Sequence, residues 1–164
     1  MNLSSLEAGK LSPHLEPVDL ALLIQDVLRT FSHVAGVERI QLQLSHDLPL
    51  VLADEHFLHS VLSQLLDNAL KYAPEGPIWV EADLIRSRVR VRVTDCGPGI
   101  PVEKRPFLFE RFQRLHASDS QTVYGYGLGL YLARQLLRAH KSDLRYEAPP
   151  EGGSRFVFFL QAVQ

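Results

Sequence analysis

The segment LLDNALKYAP at residues 65–74 ends the longest periodic stretch of the chain. Apolar residues recur at a spacing of four in two columns, which predicts a helix with a broad buried face. Asp54 precedes the pattern as an N-cap, and the pattern stops at about Tyr72. Along one edge of the buried face, Gln64, Asn68 and Lys71 fall at i, i+4 and i+7, so one ridge carries two amides and a lysine.

Working outward from this helix, the sequence predicts a layered mixture of helices and strands. Alternating apolar residues indicate strands, and a two-residue turn at Arg86–Ser87 predicts a hairpin. The expected strands lie at about 38–45, 50–53, 78–84, 88–95, 143–148 and 154–161, and further helices at about 19–31, 103–112 and 127–140. We therefore expect an α+β fold, a two-layer sandwich in which a mixed sheet of about five strands packs on three helices.

The first residues differ from the rest of the chain. Residues 1–17 contain Gly9, Pro13 and Pro17, which interrupt helices. We interpret them as the end of an upstream helix followed by a linker, and a frayed chain end is the alternative. The domain itself is predicted to span residues 18–164.

Composition narrows the class of protein. With 164 residues, 46% of them hydrophobic, the chain suffices for one domain with a sizeable core. A formal net charge of -2 gives no indication of a nucleic-acid partner or a membrane surface. The single cysteine, Cys96, excludes an intrachain disulfide and suits a reducing, cytoplasmic compartment. We expect a soluble fragment that makes no membrane contact of its own.

A second group of polar and glycine residues follows a predicted strand in DCGPGIP, residues 95–101. Asp95 continues the period of two set by Val89, Val91 and Val93, so its carboxylate is expected on the buried face. A buried carboxylate needs donors. A ligand such as the exocyclic amine of adenine would provide one, and the alternative is that Asp95 caps its own loop amides.

A third group, YGYGLGL at residues 124–130, precedes a predicted helix. Free N–H groups at a helix N-terminus favour an anion, and glycine lets phosphates approach the backbone, although a glycine-rich hinge would give the same pattern. Between the two glycine groups lies FLFERFQRL, residues 107–115. We expect its phenylalanines to pack on the core, and one of its arginines to reach a phosphate.

Together these motifs are the parts required to hold a nucleotide and its magnesium, and their order resembles a known family. The chain is similar to the catalytic, ATP-binding domain of two-component sensor histidine kinases, within the gyrase, chaperone and mismatch-repair ATPase superfamily. LLDNALKYAP resembles the asparagine box, and DCGPGIP and YGYGLGL the two glycine boxes. FLFERFQRL resembles the phenylalanine box. The resemblance covers nearly the whole chain and implies the Bergerat ATP-binding fold.

The resemblance implies a role for each matched residue. Asn68 would ligate Mg²⁺, with Gln64 beside it, and Lys71 would contact phosphate. Tyr72 and Asp95 would contact the adenosine, with Gly97 and Gly99 shaping that wall. Arg111 or Arg114 would approach the γ-phosphate. The residues bordering the triphosphate, at the end of an ATP lid spanning about 113–126, would be Gly125, Gly127, Leu128 and Gly129.

The resemblance also implies partners. The start LSSLEAGKL resembles the end of a kinase dimerisation helix, so residues 1–17 would lead from a dimerisation and phosphoacceptor domain. No phosphoacceptor motif of the His-Glu-x-x-Thr-Pro type occurs in this chain. The accepting histidine would lie upstream, and a response regulator would receive the phosphoryl group. Gln64 replaces the usual asparagine, and His140-Lys141-Ser142 stands where His-Gly-Gly is common. Two alternatives stay open, a nucleotide-binding module without phosphotransfer and a stand-alone anti-sigma-type serine kinase.

Overall fold

The fold is given by a computed structural model that describes residues 11–110 and 129–163. Five of the predicted site residues, and the predicted lid at 113–126, lie outside these ranges. The five are Arg111, Arg114, Gly125, Gly127 and Leu128.

The main sheet has five strands in the order β2-β4-β5-β7-β6. Strand β2 runs parallel to β4, and all other neighbouring pairs are antiparallel, so the predicted mixed five-stranded sheet is confirmed. The hairpin between β4 and β5 turns at Arg86, whose φ of 61° lies in the left-handed region. The strands are β2 (Ile40–Leu44), β4 (Ile78–Ile85), β5 (Arg88–Asp95), β6 (Arg145–Glu147) and β7 (Ser154–Gln161).

Three helices cover one face of this sheet, as the sequence predicts. They are α1 (Leu20–Thr30), α2 (Glu55–Tyr72) and α3 (Gly129–Ala139). Asp19 and Asp54 cap the first two helices, accepting from the N–H groups of Leu22 at 3.2 Å and Phe57 at 3.1 Å. The apolar columns of α2 are buried against the valines of β5 and the phenylalanines of β7, which forms one continuous core. No helix within the described ranges is long and apolar enough to cross a bilayer.

A small second sheet was not anticipated from the sequence. Strand β1 (Glu16–Val18) pairs antiparallel with β3 (Val51–Ala53). Pro17 lies in β1, a position that proline tolerates because an edge strand leaves its missing N–H without consequence. The predicted linker thus ends in a strand attached to the domain, because its partner lies more than thirty residues downstream and local sequence carries no trace of that pairing.

Two local expectations were wrong. The segment predicted as a helix at about 103–112 begins as a 3₁₀ helix, Val102–Phe107, in which Pro106 removes a backbone donor. Phe107 is consequently 45% exposed, whereas Phe109 packs edge-on against Phe156 with ring centroids 6.2 Å apart. The packing role predicted for the phenylalanines therefore holds for Phe109 and fails for Phe107.

The arginines of β5 do more than face solvent. Arg90 pairs with Asp83 at 2.6 Å and Arg92 with Glu81 at 3.3 Å, across the antiparallel ladder between β4 and β5. These arginine side chains are about three-quarters buried, so each pair packs on the open face of the sheet. The alternation of β5 places these arginines opposite its buried valines, and the register with β4 gives them their cross-strand partners.

Replacing Lys141 with glycine should stabilise the domain by about 1 kcal/mol, because a side chain costs roughly that much in the left-handed region. Lys141 has φ 60° and closes helix α3, its N–H donating to the carbonyl of Arg138 at 2.9 Å. Urea unfolding measures the change. Lys141→Ala is the control, since it removes the charge and keeps the Cβ. An equal gain in both variants would show that the backbone conformation is not the cause.

Candidate adenine nucleotide site

The predicted site residues meet where helix α2 ends beside the ends of two strands. Asn68 and Tyr72 lie one turn apart on the last turns of α2, and Asp95 is the last residue of β5. The loop that follows β5 forms the opposite wall, and the start of β7 closes the base. The pocket is lined by Asn68, Tyr72, Asp95, Pro98, Gly99, Ile100, Ser154 and Phe156.

Asp95 is buried as the strand period predicts, with 5% of its surface exposed. Its Oδ1 accepts the N–H of Gly97 at 2.8 Å and the N–H of Ser154 at 3.3 Å. Burial raises the pKa of this carboxyl, opposed by those two backbone donors and by the charge of Arg39. Both of these bonds use Oδ1, so Oδ2 is the oxygen available to a donor in the pocket. The loop-capping role and the ligand-binding role are compatible, because they use different oxygens.

Asn68 is the second buried polar residue of the pocket, 8% exposed. Among the described residues, none forms a hydrogen bond with its side-chain amide. Because Asn68 lines the pocket, its amide can form hydrogen bonds with a group held there. The amide oxygen is a ligand that Mg²⁺ accepts, so the residue fits the predicted metal role.

Three other predicted residues of α2 and α3 do not line the pocket. Lys71 lies one turn from the pocket and pairs with Asp67 at 3.0 Å. Gln64 lies one turn before Asn68 and is half-buried, outside the residues that line the pocket. Gly129 is the first described residue of α3 and is buried. These three positions are compatible with a ligand extending from the pocket along α2.

The first glycine group has a cause that the sequence did not reveal. A Cβ at Gly97 would lie 3.0 Å from the Cβ of Ala73 and 3.0 Å from the carbonyl oxygen of Tyr72. A Cβ at Gly99, where φ is 77°, would lie 3.0 Å from the carbonyl oxygen of Gly153. Glycine is therefore favoured at both positions, where the loop packs tightly between α2 and the turn before β7, and this packing positions the wall.

Sequence reasoning missed three contributors, Ser154, Phe156 and Gly153. In the register between β5 and β7, Asp95 is paired with Ser154, which brings the Ser154 N–H to the carboxylate. Gly153 has φ 89°, and its Cα approaches the Asp95 carbonyl so closely that no side chain fits. The period of two places Ser154 and Phe156 on the buried face of β7, which was a usable signal, but which strand lies beside β7 was not readable.

The described pocket is narrow. About 10 Å³ is open between its walls, close to the room that one water molecule requires. A purine ring would therefore have to separate the loop wall from α2. A larger hollow of about 570 Å³ lies beside His140 and Phe159. Its half-buried polar groups are already satisfied, since His140 bonds to the Asp54 N–H and the Leu136 carbonyl, and Ser142 to the Phe159 carbonyl. Among the described residues, it therefore lacks buried polar residues such as Asp95 and Asn68, which distinguish the narrow pocket.

Comparison with known proteins gives the family to which the chain belongs. Residues 53–164 match the family model described as histidine kinase-, DNA gyrase B- and HSP90-like ATPase. The adaptive-response sensory kinase SasA of Rippkaea orientalis (strain PCC 8801 / RF-1) is 36% identical over 161 residues, which are 96% of this chain and 41% of SasA. The chain thus spans about two-fifths of the length of that curated relative.

Solved structures agree on the fold. Full-length ShkA, in complex with AMPPNP, superposes with a TM-score of 0.82 at 30% identity, covering 98% of this chain and 34% of ShkA. The catalytic domain of the histidine kinase ThkA superposes with a TM-score of 0.76 at 26% identity, covering 91% of this chain and 96% of that domain. The predicted fold and the resemblance to histidine kinase catalytic domains are confirmed. The chain belongs to the family of histidine kinase-, DNA gyrase B- and HSP90-like ATPases.

Proposed function

We propose that this domain binds Mg-ATP and donates the γ-phosphoryl group to a histidine on a dimerisation domain outside this chain. The observation that supports it most is one pocket containing two buried polar residues of the expected kinds, Asp95 and Asn68, 5% and 8% exposed. A carboxylate oxygen without a partner suits the amine of adenine. An amide oxygen on helix α2, in the same pocket, suits the metal that accompanies the phosphates.

In this proposal each residue of the chain acts by position and charge. Asp95 accepts the adenine amine through Oδ2 while the backbone N–H groups of Gly97 and Ser154 hold Oδ1 in place. Tyr72 and Phe156 line the pocket beside the base. Asn68 would hold the magnesium, with Gln64 one turn away, and the metal would neutralise the charge of the phosphates. Lys71, in the last turn of α2, would contact a phosphate of the nucleotide.

The same proposal assigns roles to residues outside the described ranges. Arg111 or Arg114 would approach the γ-phosphate, and Gly125, Gly127 and Leu128 would border the triphosphate with Gly129. The dimerisation domain, joined through residues 1–17, would supply the histidine, and a response regulator would take up the phosphoryl group. We infer a cytoplasmic location for this domain, where ATP and such regulators occur.

A nucleotide-binding module without transfer is the second candidate, favoured by Gln64 in place of an asparagine. Mixing the chain with Mg-ATP and a separately prepared dimerisation domain distinguishes the two. Acid-labile, base-stable phosphate on the histidine would support the kinase. Nucleotide binding without any transfer to that domain would favour the module.

Asn68→Asp should weaken binding of a magnesium-bound, non-hydrolysable ATP analogue by about 10-fold, which corresponds to about 1.4 kcal/mol. The substitution preserves shape but places a negative charge beside the phosphates. Calorimetric titration with and without magnesium measures the change, and the melting temperature reports the fold. Gln25→Glu is the control, because it adds the same charge on an exposed position of α1. Unchanged magnesium-dependent affinity in the Asn68 variant would remove this residue from the site.

A further inference from the structure

The loop that walls the pocket is held from behind by two side chains that no motif indicated. The N–H of Ile100 donates to the hydroxyl oxygen of Tyr146 at 3.1 Å, and Nε of Arg105 donates to the Ile100 carbonyl oxygen at 3.0 Å. Both backbone polar groups of Ile100, a buried pocket residue, are thus fixed by side chains. Tyr146 comes from β6 and Arg105 from the 3₁₀ helix, so the wall is tied to two separate elements.

Arg105 and Tyr146 also contact each other. The guanidinium carbon of Arg105 lies 5.3 Å from the centroid of the Tyr146 ring, within the range of a cation–π interaction. The Tyr146 ring also packs edge-on against Phe156, with centroids 5.6 Å apart. The Tyr146 ring therefore contacts both Arg105 and Phe156, and Phe156 lines the pocket.

The Tyr146 hydroxyl links the wall to the carboxylate. It accepts from Ile100 and, at 3.5 Å, from the hydroxyl of Ser154. The backbone N–H of Ser154 donates in turn to Oδ1 of Asp95. The Tyr146 hydroxyl oxygen therefore connects the loop on one side of the pocket to Ser154. The N–H of Ser154 in turn orients the Asp95 carboxylate on the other side.

The hydrogen bonds of Tyr146 and Arg105 matter for nucleotide binding because the pocket is narrow. The loop wall and helix α2 have to separate for a purine to enter, and the distance over which they separate decides how well the ring fits between them. A wall bonded to β6 and to the 3₁₀ helix is already ordered before the purine enters, so binding has to offset a smaller entropic cost of ordering it.

We propose that Tyr146 and Arg105 are positioning residues for the base-binding wall, acting through Ile100 and Ser154 without touching the nucleotide. This inference rests on the proposed nucleotide-binding function and adds two residues to it. We call Tyr146 and Arg105 the clamp. The clamp should affect base selectivity, because it fixes Asp95 relative to the loop wall and the purine ring must contact both.

Tyr146→Phe tests the clamp most directly, since it removes one oxygen and keeps the ring. The full chain should bind the ATP analogue about 5- to 10-fold more weakly, the range expected for losing a hydrogen bond of ordinary net strength. The ratio of ATP to GTP affinity should fall as well. Arg105→Met should have the same effects, and the double variant should lose less than the product of the two single losses, because both act on Ile100.

Ser142→Ala is the matched control. It also removes one hydroxyl, which donates to the Phe159 carbonyl at 2.7 Å, on a part of the fold distant from the pocket. It should lower the melting temperature as Tyr146→Phe does and leave both the affinity and the ATP to GTP ratio unchanged. A purely structural role for Tyr146 would instead make the two variants alike.

The outcomes separate this inference from the proposed function. Wild-type protein that binds the ATP analogue, together with Tyr146→Phe and Arg105→Met variants of unchanged affinity and base selectivity, overturns the clamp alone. Wild-type protein that binds no adenine nucleotide overturns both. Reduced selectivity in the two clamp variants, with wild-type selectivity in Ser142→Ala, supports the clamp.

Discussion

Gly153→Ala is expected to lower the free energy of unfolding by about 3 kcal/mol, combining left-handed backbone strain with overpacking. The new Cβ would overlap the carbonyl oxygen of Asp95 and lie 3.2 Å from the Cα of Cys96. Neither neighbour is a flexible side chain. Relief would require β5 and β7 to part where Asp95 is paired with Ser154, so the variant should also lose nucleotide affinity.

The adjacent glycine provides the control. Gly152 has φ 98°, comparable to the 89° of Gly153, but a Cβ there would meet nothing within 4 Å. Gly152→Ala should therefore lower the free energy of unfolding only by the cost of the left-handed backbone, about 1 kcal/mol. Urea unfolding of both variants separates strain from overlap. Equal losses would show that the close approach to Asp95 does not constrain the fold.

Asp95→Asn is expected to weaken binding of the ATP analogue by about 100-fold, the magnitude of losing a hydrogen bond to a charged acceptor. Asparagine can keep Oδ1 on the Gly97 and Ser154 amides, but it then directs an NH₂ group at the adenine amine. The loss of stability should be smaller, because burial raises the pKa of Asp95 and a neutral side chain avoids that desolvation. Isothermal titration and thermal unfolding, run in parallel, measure the two effects.

The pH dependence gives the same prediction a second readout. The pKa of Asp95 is raised above the ordinary aspartate value of 3.8, so as pH falls this carboxyl is protonated before an ordinary aspartate would be. Binding that needs the ionised form should weaken over that window, and the Asn variant should not share the decline. Asp83→Asn, on the open face of the sheet, removes the same charge and should leave binding unchanged. Equal wild-type affinity for ATP and GTP would contradict the role of Asp95.

Sequence patterns were sufficient for most of the helices and strands and for the depth of the two central polar residues. The apolar columns of α2 placed Asn68 on the margin of its buried face, and the period of β5 placed Asp95 on the core side, where each is found. Both inferences depend only on the geometry of a single helix or strand, which is fixed by local backbone dihedrals. The cap at Asp54 was predictable for the same reason.

Long-range pairing was not readable in the same way. The sequence predicts a linker where β1 forms, and no motif marks Tyr146, because each acquires its role from a partner far away in the chain. Arg105 lies near Ile100 in the chain, but its role depends on the folded loop. Phe107 was expected in the core but is exposed, since Pro106 and the 3₁₀ geometry changed the face it presents. Even the glycines at 97 and 99 owe their identity to packing against α2 and Gly153, which only the assembled loop defines.

The sequence by itself determined the α+β class, the order of the three helices and the five strands of the main sheet, and the candidate chemistry of Asn68 and Asp95, because hydrophobic periodicity and side-chain type act locally. Only the tertiary structure decided which strands are neighbours. It therefore decided that Ser154 is paired with Asp95 and that the Tyr146 hydroxyl accepts from the Ile100 N–H. The physical reason is that strand register is set by the packing of the whole core, and hydrogen bonds between distant residues form only after that packing has brought them together.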